Sequence, residues 1–236
     1  MPTMLEALAG QAAALGFPLL GVAPTDKFPG VPPWTRSIVV VALPVLDRAF
    51  DLELYIEEGG EQRWSKWAYE RLVAGAARLA LLLRDEGYRA EPLTYEDSLA
   101  VLDLKAAAVR AGLGIRGLNN LVLTRRYGPR VRFGALFTDL ALPPARPRAD
   151  YYCVSCSLCL AACPTGALGP AGFDRSRCIA EFAPDARMAA LQREMLEFPT
   201  PYSRVQCAAC IDACPVGKHF PVRSWVLDPR SPQPRP

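Results

Sequence analysis

Apolar positions recur along this chain with two different periods, and the changes between them mark out its elements. Leu5, Leu8, Ala12 and Leu15 repeat at helical spacing, and Gly16 follows as a residue free to take the left-handed conformation that ends a helix. Residues 19–22 and 37–43 are short apolar runs. The second, SIVVVAL, is rich in the β-branched residues that suit a buried strand, and the Pro/Gly stretch FPGVPPW between them reads as a loop. Over residues 61–85, Trp64, Trp67, Ala68, Leu72, Ala76, Leu79 and Leu83 fall on one helical face, with Gly75 as the weak helix former inside it. The two tryptophans on that face are read as core. Residues 98–111 predict another helix, with Asp97 or Ser98 as its N-cap and Asp103 in its second turn. Residues 121–124 and 131–138 predict later strands. The acidic run DLELYIEEGGEQR (51–63) is open between a lid over a site and a solvated loop.

Helices and strands thus alternate over residues 1–142, which is length enough for a real hydrophobic core. The stretch PPARPR (143–148) marks a linker into a second module over 143–220, and residues 221–236, ending in SPQPRP, read as a surface tail. Composition adds little beyond exclusions. The chain has 236 residues, and 27 basic against 24 acidic side chains leave a net charge of +3, too weak to demand nucleic acid by itself. Lys27, Lys66, Lys105 and Lys218 are the only lysines, so the basic residues are nearly all arginine. No apolar stretch reaches the ~20 residues of a membrane-spanning helix. The opening MPTMLEALAGQAAALGF lacks the basic start and apolar centre of a secretory signal, so a cytoplasmic protein with reduced thiols is expected.

All eight cysteines lie in the second module. They run Cys153-x2-Cys156-x2-Cys159-x3-Cys163-Pro164, then Cys178 alone, then Cys207-x2-Cys210-x3-Cys214-Pro215. This is the bacterial ferredoxin run, in which three close cysteines hold one cubane and the fourth, before proline, reaches the other. The expected ligand sets are Cys153, Cys156, Cys159 and Cys214 for one [4Fe-4S] cluster, and Cys163, Cys178, Cys207 and Cys210 for the second. A disulfide framework conflicts with the expected compartment. Zinc takes paired Cys-x2-Cys units, but three cysteines in succession followed by Cys-Pro are not its usual arrangement. Single-electron transfer is the chemistry these cysteines predict.

With the segments EDSLAVL, AGLGIRGLNN and YGPRVRFGALFTDLALP upstream of CSLCLAACPTGAL, DRSRCI and CAACIDACP, the chain resembles epoxyqueuosine reductase. The same organisation is similar to the corrinoid and cluster modules of reductive dehalogenases. The resemblance implies an α+β protein: a nitroreductase-like α/β domain holding cobalamin beside the first cluster, followed by a ferredoxin-like double-cluster module. It implies electrons passing through the clusters to the corrinoid for reduction of a substrate, with Asp97, in its D-[ST]-x-x-V-L context, as the proton donor. Lys105 would then sit near the reacting face. Gly112, Gly114 and Gly117 would let backbone approach a planar macrocycle or flavin, and Asn119, Asn120 and Tyr127 would hydrogen-bond its edge. For both asparagines a turn-forming role is the plain alternative. His219 is the only histidine, so no multi-histidine metal site is available and no histidine is expected beneath a corrinoid. An electron donor such as ferredoxin or flavodoxin is implied, with a small-molecule or modified-nucleoside substrate. Full-length epoxyqueuosine reductases continue into a helical repeat domain that holds tRNA. This sequence stops soon after its cysteines, so tRNA is not favoured, although Arg116, Arg125, Arg126, Arg130 and Arg132 are open between phosphate contacts, cofactor side groups and a plain charged face. Two other readings stay open: an FMN-binding oxidoreductase on the same fold, and a non-catalytic electron carrier.

Overall fold

In the computed structural model, which describes residues 2–47, 51–58, 61–94, 100–147 and 152–218, the two longest apolar runs lie side by side. Strand β2 (Ser37–Pro44) pairs antiparallel with β8 (Val131–Thr138) over its whole length, with Ser37 opposite Thr138 and Pro44 opposite Val131. Strand β1 (Leu19–Ala23) lies outside β2 and β5 (Ala90–Pro92) outside β8, both antiparallel. Strand alternation then sends apolar side chains to both faces. Val39, Val41, Leu43 and Leu136 meet Leu8 of α1 (Met4–Ala14) and Leu72, Leu79 and Leu83 of α2 (Trp67–Asp85). Ile38, Val40, Ala42, Ala135 and Phe137 meet Ala107 and Ala108 of α3 (Leu104–Arg110). A mixed α/β body of helix, sheet and helix layers results. Gly16 takes φ 87° just past α1, as its position required, and no helix among the described residues is long and apolar enough to cross a membrane.

Two expected boundaries move. The helix read over 61–85 begins at Trp67, because residues 61–66 are instead β4 (Glu61–Lys66), paired antiparallel with β3 (Leu52–Glu58). Trp64 is therefore buried from a strand: its ring meets Tyr55 edge-on at 5.3 Å and Phe198 at 5.9 Å, and the Arg204 guanidinium lies 4.4 Å from its centre. Trp67 is 43% exposed and leaves the core stripe. Helical spacing could not separate the two because a strand runs directly into the helix. Within the helix expected over 98–111, α3 begins at Leu104, and the side chain of Asp103 before it accepts from the Ala106 N–H at 3.0 Å. Asp103 is thus the N-cap of α3 and not a second-turn residue; Asp97 and Ser98 lie outside the described residues.

The acidic run is neither lid nor solvated loop where it is described. Leu54 points outward while Glu53 is fully buried, and a strand from the cysteine module explains why. Strand β11 (Ser203–Val205) pairs antiparallel with β3. It brings the fully buried Arg204, whose Nε donates to Glu53 Oε2 at 2.6 Å and whose Nη2 donates to the Glu181 carbonyl at 2.8 Å. Beside it, Lys66 Nζ donates to Asp51 Oδ1 at 3.3 Å and to Gln206 Oε1, and Arg132 Nη2 donates to Asp51 Oδ1 at 2.5 Å. Burial drives the Lys66 pKa down to about 8, the Arg132 charge pushing the same way against Asp51 and Glu53.

A second seam joins the module to the sheet. The buried Arg130, just before β8, donates to the carbonyls of Val216, Ile211 and Cys214 at 3.0, 3.1 and 3.2 Å. Alongside, the Tyr127–Gly128 turn packs backbone against backbone on Val216–Gly217. A Cβ on Gly217 (φ +73°) would lie 2.3 Å from both the Gly128 nitrogen and the Tyr127 carbonyl carbon. Small pairs complete the chain: β6 (Ile115–Arg116) with β7 (Val122–Leu123), and β9 (Leu168–Gly169) with β10 (Gly172–Phe173).

Gly217→Ala is expected to destabilise by more than about 1 kcal/mol, since it adds both strain and a backbone clash. Gly169→Ala, which would meet nothing within 4 Å, serves as the tolerated control in the same thermal melts. Lys66 also predicts a pH dependence. Its folded pKa of about 8 lies below its ordinary 10.5, so between those values the unfolded chain binds more protons and stability rises with pH. The penalty for burying the cation is fully present below about pH 8. Thermal midpoints taken from pH 7.5 to 10 should therefore climb more steeply for the wild type than for Lys66→Met; equal slopes would contradict the assignment.

Candidate functional site

Two hollows divide the eight cysteines. A small one is lined by Cys153, Cys156, Cys159 and Cys214, with Leu118 and Val154 on its rim. A much larger cavity, of about 670 Å³, is lined by Cys163, Cys178, Cys207 and Cys210. Electrostatic contacts follow the same division. Cys159 is within reach of Cys214 and Cys153, and Cys214 of Cys153 and Cys156. Cys210 is within reach of Cys207, Cys178 and Cys163, and also of Cys159, so the two groups are neighbours.

Local structure explains how sequence-distant thiols converge. Ser155 and Ser157 take left-handed backbone, φ 51° and 59°, which coils the first loop tightly at positions where non-glycine residues are uncommon. The four-residue helices α4 (Leu158–Ala161) and α6 (Ala209–Asp212) then carry Cys159 and Cys210. The isolated Cys178 is held by its surroundings. Asp174 caps the turn before it by accepting from the Ser176 N–H at 3.0 Å. After it, Gln192 of α5 (Ala186–Met195) donates to the carbonyls of Ile179 and Glu181 at 3.1 and 2.9 Å. Burial followed by the neighbouring thiols pushes the Cys210 pKa up to about 12. Burial likewise raises Cys159, Cys178, Cys207 and Cys214. Such thiols are neutral, and a metal must displace their protons to bind. No three His, Cys, Asp or Glu side chains among the described residues converge on a single ion. A mononuclear site would ask for that convergence, whereas a cubane takes one thiolate at each of four corners.

The large cavity is also where the α/β body meets the module. Lys105, Asn119 and Asn120 line it, as do Arg116, Arg132 and Phe133. Lys105 Nζ donates to the Asn120 carbonyl at 3.0 Å, and Arg116 Nη1 to the same oxygen at 3.3 Å. Burial, then the nearby Arg116 charge, lowers the Lys105 pKa, with Asp103 and Cys178 opposing. Both asparagines also have turn roles: Asn119 Oδ1 accepts from the Leu121 N–H at 3.2 Å, and Asn120 is left-handed at φ 57°.

Other expected site residues do not reach the cavity wall. Gly112, Gly114 and Gly117 are absent from its lining. A Cβ on Gly114 would fall 2.2 Å from the Leu123 carbonyl oxygen, so chain packing against chain explains that glycine without a cofactor. Tyr127 is buried in the core beneath α3. Asp97 and His219 lie outside the described residues. Of the five arginines open to phosphate contacts in the sequence, Arg130 and Arg132 are buried on protein partners. The large cavity touches the second cysteine group, whereas the resemblance implied a cofactor beside the first cluster. Sequence reasoning missed Tyr69, Gln206, Glu181 and Arg175 in the lining, where Arg175 Nε donates to Glu181 Oε2 at 2.8 Å. For Arg175, Glu181 and Gln206 the one signal was proximity in sequence to Cys178 and Cys207, and Tyr69 had none.

Residues 152–217 match the family model described as a 4Fe-4S double cluster binding domain. Among curated proteins, a tetrachloroethene reductive dehalogenase from Desulfitobacterium hafniense is 30% identical over 68% of this chain and 29% of its own length. An epoxyqueuosine reductase from Gloeobacter violaceus is 32% identical over 78% of this chain and 57% of its own. The chain thus has homologues under both names, while spanning well under two thirds of their lengths. In solved structures, epoxyqueuosine reductase from Bacillus subtilis superposes with TM-score 0.66 at 23% identity, over 92% of this chain and 66% of that one. A reductive dehalogenase, whose structure is described as suggesting a mechanism for B12-dependent dehalogenation, gives 0.53 at 22% identity over 68% of this chain and 25% of that one. At those identities the superpositions establish the fold.

Cys178→Ala should lower iron content after anaerobic reconstitution toward one cluster per chain. Iron retained at the wild-type level would show that Cys178 is not a ligand.

Proposed function

We propose that this chain is a two-cluster iron–sulfur reductase in which Cys163, Cys178, Cys207 and Cys210 feed electrons to a cobalamin held in the large cavity, for reduction of a small-molecule or modified-nucleoside substrate. The reading takes residues 1–142 as a nitroreductase-like cofactor domain and 143–220 as the cluster module, with Cys153, Cys156, Cys159 and Cys214 holding the other cluster. The observation that carries it is the shared wall of the cavity: one hollow of about 670 Å³ is bounded by four cysteines on one side and by Lys105, Asn120 and Phe133 of the α/β body on the other. Homology to reductive dehalogenases and epoxyqueuosine reductases supports a corrinoid there, and the relatives named above give FMN no support.

A bound corrinoid would supply a low-potential reductant that protein side chains cannot provide. The chain's own residues supply the surroundings. Leu121, Val131, Phe133, Phe173 and Ile179 make an apolar lining that excludes water. Lys105 and Arg116 carry positive charge at one wall, suited to anionic or amide groups on a ligand edge. The Tyr69 hydroxyl, its pKa raised chiefly by burial, keeps its proton at neutral pH. Asp97 stays the proposed proton donor. Burial of Arg130 and Arg132 leaves fewer cations for a polynucleotide, which favours a small substrate over tRNA.

Protein reconstituted anaerobically with iron, sulfide and cobalamin should elute from gel filtration with about eight irons per chain, four for each cubane, and with co-migrating corrinoid absorbance. Corrinoid eluting apart from a fully iron-loaded protein would sink the cobalamin reading and leave an electron carrier.

A further inference from the structure

The two cysteine groups differ in what they face, and the difference assigns a direction. The second group opens into the large cavity. The first has one edge at the surface: Cys156 is exposed, and so is every residue from 154 to 158, while Cys159 and Cys214 are buried behind it. Around it stand three large apolar side chains open to water, Val154 at 76%, Leu158 at 50% and Leu118 at 39% exposed. Exposed apolar groups are ordinary singly, but a cluster over a functional group marks a contact surface.

Charge identifies what this surface fits. From Tyr151 to Phe173 the chain has no charged residue, and no carboxylate lines the small hollow. Its edge is basic. Arg125 and Arg126 are exposed on the turn that follows Leu123, a residue of the small hollow's wall. That turn closes with Gly128 against the Val216 carbonyl, and the exposed Lys218 follows two residues later. An uncharged apolar centre with a cationic rim complements a protein with an acidic rim around its own redox centre, and such complementarity raises the rate of encounter.

We infer that this face, centred on Val154, Leu158 and Leu118 and edged by Arg125, Arg126 and Lys218, docks a small acidic one-electron carrier protein that delivers electrons to the first cysteine group. The inference rests on the two-cluster reading and adds the entry point to it. Each encounter moves one electron: the carrier is oxidised, the cluster at Cys153, Cys156, Cys159 and Cys214 is reduced, and no bond or proton changes hands. The next transfer is inward, since Cys159 and Cys210 are neighbours across the two groups.

The test uses the reconstituted full chain, with an acidic [2Fe-2S] ferredoxin as donor and dithionite as a small-molecule control. Cluster bleaching is followed by stopped flow, and donor binding by gel filtration. Reduction by the ferredoxin should slow as salt rises, and should fall about 10-fold or more in Arg125→Glu/Arg126→Glu, the low end of electrostatic steering. Leu158→Ser should weaken donor binding. Iron content and reduction by dithionite should stay at wild-type values in both variants. If both are reduced by the ferredoxin as fast as the wild type, or the ferredoxin does not bind the wild type, the docking face is overturned. Low iron in the wild type, or failure of dithionite to bleach it, would instead overturn the two-cluster reading and this face with it.

Discussion

The structure depends on burying five ionisable side chains where β3, β4, β8 and β11 meet. Asp51, Glu53, Lys66, Arg132 and Arg204 are all nearly or fully inaccessible, and each is ion-paired within the group. Such a cluster is weak evidence for stability, because desolvation cancels much of the attraction. Its effect is on register. Sliding β3 by one residue would turn Glu53 out and Leu54 in, leaving Arg204 buried without a counter-ion. With Lys66 protonated the group holds three cations against two anions. The drop of Lys66 to a pKa of about 8 agrees with that surplus: losing one proton balances the charges. The network therefore admits β11 in one alignment only, and β11 leads directly into Gln206 and Cys207.

Arg130 acts at the other end of the same segment. Its guanidinium holds the carbonyls of Ile211, Cys214 and Val216, while the Gly128–Gly217 contact allows the two backbones to close. Cys207, Cys210 and Cys214 thus lie between two seams, each anchored to an arginine of the segment entering or forming β8. The earlier loop from Cys153 to Cys163 has a lighter attachment, with the Tyr152 hydroxyl donating to the Leu123 carbonyl at 2.6 Å. Rigidity is concentrated on the cysteines nearest the sheet, and the exposed loop is the one that carries the open apolar face.

The sheet was legible because its signal is local. Residues 37–43 and 131–138 are apolar on both faces, and a strand covered by helices on each side has to read that way. The cysteine pattern was legible for a similar reason, since the spacing is the ligand geometry. What could not be read depends on partners that neither periodicity nor spacing names. Glu53 looks like a solvated acid until Arg204, 151 positions later, is placed against it. Trp64 fits a helical stripe until β3 is seen to supply a strand partner. Gly114 fits a cofactor approach until the Leu123 carbonyl occupies the space. Arg130 and Arg132 read as a basic face until their buried acceptors appear. In every case the residue type was right and the environment was set by a contact that periodicity along the chain does not name.

The same fixed charges bear on the proposed electron route. A thiolate-bound cubane is anionic and gains one more negative charge on reduction, so burial opposes reduction and nearby cations favour it. The first cysteine group has one edge at the surface among uncharged residues, with Arg130 as the charge within reach of Cys214. The second faces a cavity whose wall includes Lys105, Arg116, Arg132 and Arg175 against Asp103 and Glu181, and Arg132 is within electrostatic reach of Cys210. Each of these cations is also tied to a carboxylate or a carbonyl. On the proposed route, an electron entering at the exposed edge of the first group moves toward the group with more cations in its wall, and the buried Arg132 that joins module to sheet is one of them.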